Sequence, residues 1–135
     1  MAAKPENNFI ANIHKRLNIQ VYAEKMYNPL RGGTPDVYYE GKKILWVEYK
    51  FIQLPARNST LIEPQLSDLQ RLWLRRCHAN TKRARVIVGF KTGKEYYGIV
   101  YSSPDEWTES ITTQNYKRYA LPIEEIVQYI EEQTL

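Results

Sequence analysis

Asp36 follows Gly33-Thr34-Pro35, and Glu48-Tyr49-Lys50 comes after a further eleven residues. Two carboxylates brought to one point can hold a divalent cation through hard oxygen ligands, and a lysine beside them can meet developing negative charge. That set could hydrolyse a phosphodiester. Mg²⁺ or Mn²⁺ on Asp36 and Glu48 would acidify a water and neutralise the scissile phosphate, leaving coordination positions open for both. Lys50 would position the water or stabilise the transition state. The backbone carbonyl of Tyr49 lies between the two functional side chains and is a further candidate ligand. No Ser/His/Asp arrangement, phosphate-binding glycine loop or zinc spacing offers a competing chemistry.

The elements around these residues decide whether they meet. Ile44 to Phe51 reads as a strand. Alternation puts Leu45, Val47, Tyr49 and Phe51 on a wholly apolar or aromatic face, and Ile44, Trp46, Glu48 and Lys50 on the other. The second face begins apolar and ends charged, and a half-buried charge needs a partner or a metal. Asp36 to Tyr39 reads as the preceding strand, with Gly41 in the turn. A three-residue loop, Gly41-Lys42-Lys43, pairs Glu40 with Ile44 and sets Asp36 opposite Glu48, on one face. A two-residue turn would set Asp36 opposite Val47 and separate the acids.

Elsewhere, Pro5 to Leu17 reads as a helix with Ile10, Ile13 and Leu17 at helical spacing, and Ile19 to Tyr27 as a strand ended by Asn28-Pro29. Gln53 to Pro64 is a long loop, the kind often found beside a site. Ser67 to Ala79 is a helix opened by the capping-box pattern Ser67-x-x-Gln70. Arg85 to Phe90 and Glu95 to Tyr101 are strands joined around Gly93. Asp105-Glu106 before Trp107 reads as a helix start, and Pro122 to Glu132 as a closing helix. The order predicts an α/β fold, a mixed β-sheet flanked by helices, in one domain over residues 1–135.

Lysine and arginine number 19 against 15 aspartates and glutamates, a net charge of +4 that suits a polyanionic partner without requiring one. Arg75, Arg76, Lys82, Arg83 and Arg85 cluster around the end of the second predicted helix, with Lys91 and Lys94 in the next turn. They could follow a DNA backbone, or form a solvated helix end where cations suit the dipole. Lys25 and Arg31, near the Pro-Asp loop, and Arg57, in the long loop, are further candidate phosphate contacts. Cys77 is the one cysteine, which excludes an intramolecular disulfide and a Cys-rich zinc site. His14 and His78 have no second histidine at ligand spacing, and a surface role is expected for both. No apolar run approaches the ~20 residues that span a membrane, and no secretory segment opens the chain, so an intracellular protein is expected.

The Pro35-Asp36 and Glu48-Tyr49-Lys50 pair resembles the PD-(D/E)XK nuclease superfamily. Within it the chain is most similar to the VRR-NUC family, whose short stand-alone members occur in phages. Gly32-Gly33-Thr34-Pro35-Asp36 matches that family's glycine-rich approach to the first acid, and Leu66-Ser67-Asp68-Leu69-Gln70 its Leu-Ser-x-x-Gln helix start. The likeness runs from about Glu6 to Phe90, and the last forty-odd residues carry no matching motif. The resemblance implies a restriction-endonuclease-like αβββαβ core, here with a C-terminal helix, dependence on Mg²⁺ or Mn²⁺, and DNA cleavage. It further implies a homodimer cutting branched DNA at four-way (Holliday) junctions, in the host cell cytoplasm if the source is viral. It also brings in Glu6 as an acid on the first helix that completes the metal site, and Gln70 as a catalytic residue. Both have simpler readings: an acid in a first turn suits the helix dipole, and a glutamine at the third position belongs to a capping box. Gln65 competes with Gln70 for the role. The alternatives in function are a nuclease for flap, nicked or linear duplex DNA, and a non-catalytic DNA-binding module of the same fold. The intact Asp-Glu-Lys set argues against the second.

Overall fold

The computed structural model describes residues 4–27 and 32–135. Pro5, whose missing N–H costs nothing in a first turn, opens α1 (Pro5–His14), and Phe9, Ile10 and Ile13 bury its inner stripe. The helix stops short of the expected Leu17 because Arg16 and Leu17 tighten onto the carbonyls of Ile13 and His14. A turn at Asn18, whose side chain accepts the Gln20 N–H at 2.8 Å, then leaves Ile19 98 % exposed. The first strand, β1 (Tyr22–Lys25), is therefore shorter than the expected Ile19 to Tyr27.

Next come β2 (Val37–Glu40), β3 (Ile44–Phe51), the two-residue β4 (Leu61–Ile62) and α2 (Asp68–Thr81). The strands β5 (Ala84–Thr92) and β6 (Glu95–Tyr101) lead to the one-turn α3 (Pro104–Trp107) and to β7 (Ile111–Thr112). The chain closes with α4 (Thr113–Tyr119), β8 (Leu121–Pro122) and α5 (Ile123–Thr134). Six strands form one sheet in the order β1-β2-β3-β5-β6-β8, parallel only between β3 and β5, where α2 makes the crossover. The fold is a mixed α/β sheet flanked by helices. The expected αβββαβ order is α1-β1-β2-β3-α2-β5, and α5 is the C-terminal helix.

Two apolar layers follow from strand alternation. Leu45, Val47, Tyr49 and Ile87 face α1 and α5, and Gly89 admits the Phe9 ring, which a side chain there would strike. Trp46, Val86, Val88 and Phe90 face α2, α3 and α4 through Leu74, Trp107 and Tyr116. The small β4–β7 pair, α4 and β8 lie outside the sequence expectation.

The β2–β3 loop is the three-residue Gly41-Lys42-Lys43, and Glu40 pairs with Ile44, Tyr39 with Leu45 and Val37 with Val47. The last turn of α5 holds this loop: Lys43 donates its N–H to the Thr134 carbonyl at 3.0 Å, and Gly41 packs against the same backbone. Among the described residues no helix is long and apolar enough to cross a membrane.

Candidate active site

Extending the observed register by one pair sets Asp36 opposite Glu48. The Asp36 side chain occupies the place where a continued β2 would accept a bond: the Tyr49 N–H donates to Asp36 Oδ2 at 2.8 Å. In a strand the N–H and C=O of one residue lie on the same edge. The Tyr49 carbonyl therefore also faces the edge where β2 has ended.

Glu48 is only 2 % exposed although it is a carboxylate. Its Oε2 accepts a bond from Gln70 Nε2 at 3.1 Å and lies 3.8 Å from Lys50 Nζ. Its Oε1 is buried with no donor. Burial first, and then the charge of Asp36, push the Glu48 carboxyl up to about 9. Burial also raises Asp36, against the lowering effect of the Tyr49 N–H. A proton on Glu48 relieves the repulsion between the two carboxyls. With both ionised they repel, and Glu48 Oε1 is orphaned. A divalent cation removes that conflict, which is the physical sense in which the pair fits a metal.

Glu6, in the first turn of α1, lines one cleft with Asp36, and burial and the Asp36 charge raise its carboxyl as well. Among the described residues no three His, Cys, Asp or Glu side chains stand close enough together to cage a metal. The arrangement is thus two carboxylates and a carbonyl, with Glu6 at the rim. It suits Mg²⁺, which keeps several waters and commonly takes only one or two carboxylates.

Gln70 closes the capping box and also reaches Glu48. Its backbone N–H bonds to Ser67 Oγ at 3.1 Å and its Oε1 accepts the Ser67 N–H at 2.9 Å, completing the capping box. Its remaining Nε2 donors point at Glu48. Gln65 is exposed, two residues before the cap. Gly33 sets the approach of the Pro-Asp loop to this helix: its φ is +95°, and a side chain there would strike the Leu69 carbonyl.

The basic candidates divide. Lys25 lines the cleft that holds Asp36 and Glu6. Arg31 lies outside the described residues. Arg57 is exposed in the loop before β4, and Arg75 and Arg76 are exposed on α2, with Arg76 resting on the Trp73 ring at 4.9 Å. Lys82 and Arg83 are not brought to the acids. Lys82 is the left-handed C-cap of α2, at the helix end remote from Gln70. Arg83 is spent on the fold: its Nε donates to the Ile44 carbonyl at 2.7 Å, and its other nitrogens bond Gln133. Ile44 precedes Glu48 by four residues, about 13 Å along a strand.

The structure places two histidines differently from the sequence reading and brings together two lysines that it kept apart. His14 is half-buried rather than a surface residue: its Nε2 lies 2.8 Å from the Tyr39 hydroxyl, which is 2.6 Å from that of Tyr49. Burial, and then the charge of Lys25, lower His14 to about 4. The available signal was its place on the helical face of Ile10 and Ile13. His78 is also partly covered, with its ring edge-on to Trp107. Lys4, ahead of α1, and Lys91, near the end of β5, line one cleft with Glu6, which spacing alone could not reveal. Comparison with protein-family models and with curated proteins finds no match, so the functional reading rests on this geometry and on the motifs that compose it.

Proposed function

We propose that this protein is a metal-dependent endodeoxyribonuclease of the PD-(D/E)XK type, similar to the VRR-NUC family, hydrolysing phosphodiester bonds in branched DNA. The observation that carries it is the convergence of Asp36 with a buried Glu48 that has one oxygen without a donor, with Lys50 alongside. A buried acid of this kind destabilises an ordinary structural hairpin, so a charged surface turn does not account for it.

Asp36, Glu48 and the Tyr49 carbonyl would hold Mg²⁺ or Mn²⁺, which supplies an acidified water and charge neutralisation at the scissile phosphate. The Tyr49 N–H fixes one carboxylate, and Gln70 holds the other in one orientation. Lys50, half-buried at the open end of β3, meets the charge that builds on the phosphate oxygens. Lys25 contacts a neighbouring phosphate from across the cleft.

The four-way junction is the substrate we favour. Its two equivalent strands suit a two-fold homodimer with one site in each subunit. Labelled junction, flap, nicked and linear duplex DNA, each with Mg²⁺, Mn²⁺ or chelator, test the reading. Metal-dependent cutting that is lost in Asp36→Ala supports it. Binding without cutting under every metal condition overturns it in favour of a DNA-binding module, and equal cutting of linear duplex removes the junction preference alone.

A further inference from the structure

We propose that the cleft next to Glu6 is a subsite for an unpaired nucleotide adjoining the scissile phosphate. The proposal rests on the nuclease reading of Asp36 and Glu48 and names the feature of the substrate that this site selects. The cleft, of about 470 Å³, is lined by the apolar Pro5, Phe51 and Ile52 and by Lys4, Glu6, Gln53 and Lys91. It adjoins the active site through Glu6 and Lys4, which line both this cleft and the one of about 410 Å³ that contains Asp36 and Lys25.

The two halves of the lining ask for different parts of one ligand. The Phe51 ring is held by Phe9 at 5.6 Å and Tyr96 at 6.1 Å and is only half-buried, so part of it faces the cleft. A flat base can stack there, and base–aromatic stacking tolerates any sequence. The amide of Gln53 is exposed and carries both a donor and an acceptor for a base edge. Lys91, set over the Tyr96 ring at 5.1 Å, and Lys4, at the start of α1, supply positive charge for the attached phosphate. An intact duplex presents phosphates but keeps its bases in the stack, which would leave the apolar lining uncovered. A branch point offers a nucleotide free to leave the stack.

The test uses the Asp36→Asn protein, in which the Asn oxygen can still accept the Tyr49 N–H, bound to junctions carrying 2-aminopurine at successive positions around the branch point. A fluorescence change confined to one position beside the cut is expected. It should vanish in a version that also carries Lys4→Gln and Lys91→Gln, both exposed positions. For two single-strand phosphate contacts, the slope of log binding constant against log salt should fall by about 1.4 on junctions. On blunt linear duplex it should not change. A signal spread evenly over all positions, or an equal change of slope on blunt duplex, overturns the subsite even if the wild-type protein cuts DNA. A position-specific signal in Asp36→Asn, with the wild-type protein cutting nothing under any metal condition, upholds the nucleotide subsite and overturns the nuclease.

Discussion

At the scale of the residue, Glu48 concentrates the chemistry in one carboxyl. Its proton is held up to about 9 in the folded chain, against 4.5 ordinarily. In that window the native state binds a proton that the unfolded state has lost, so the stability of metal-free protein falls as pH rises from about 5 to 9. Thermal melts across this range should show the decline, and Glu48→Gln should flatten it. A melting temperature that rises with pH through the window would contradict the assignment. At the proposed metal site a divalent cation would displace the same proton, so calorimetry in buffers of different ionisation enthalpy should record release of about one proton near neutral pH. For turnover, charge stabilisation by a bound metal is worth several kcal/mol. Asp36→Ala should therefore slow cleavage by about 10³-fold or more, at 1.36 kcal/mol per decade.

At the scale of the element, α2 starts where it does because Gln70 closes its capping box, and the same side chain restrains Glu48. Two substitutions separate these duties. Gln70→Glu keeps an acceptor for the Ser67 N–H but turns the donor facing Glu48 into a second acceptor. It should preserve the melting temperature with bound metal while lowering the cleavage rate by about 10- to 100-fold. Gln70→Ala should lose the same activity and about 1 kcal/mol of stability as well. Equal activity in all three proteins would reduce Gln70 to a capping residue. The parts of the fold that sequence could reveal are those governed by local rules. Alternation separates Leu45, Val47 and Tyr49 from Trp46 and Glu48, loop parity fixes the partner of Asp36, and Ser67-x-x-Gln70 marks a helix start. The remainder is held by distant partners. Strand β4 exists because Leu61 meets Thr112, and α4 buries only Thr113 and Tyr116, too few for a helical stripe. Arg83 looked like a phosphate contact because its real partners are far away in the chain, at Ile44 and Gln133.

At the scale of the whole molecule, the sheet has a working end and a fastened end. The acids and the two clefts lie where β3 finishes, while Arg83 and Arg85 stitch the opposite end to α5 through Gln133 and Tyr129. Arg83→Ala should thus cost about 2–3 kcal/mol in denaturant unfolding. It should leave the salt dependence of DNA binding unchanged, in contrast to the effect of removing Lys4 and Lys91. A reduced salt slope in Arg83→Ala would return this arginine to the DNA surface. The same fastening bears on how the protein is made. The loop that sets the pairing of Asp36 with Glu48 is gripped by the carbonyl of Thr134. A nascent chain emerging from the ribosome has both acids long before it has that grip. The geometry of the acid pair therefore waits on α5, and fragments that end before Thr134 carry the motif without the clamp that holds it in register.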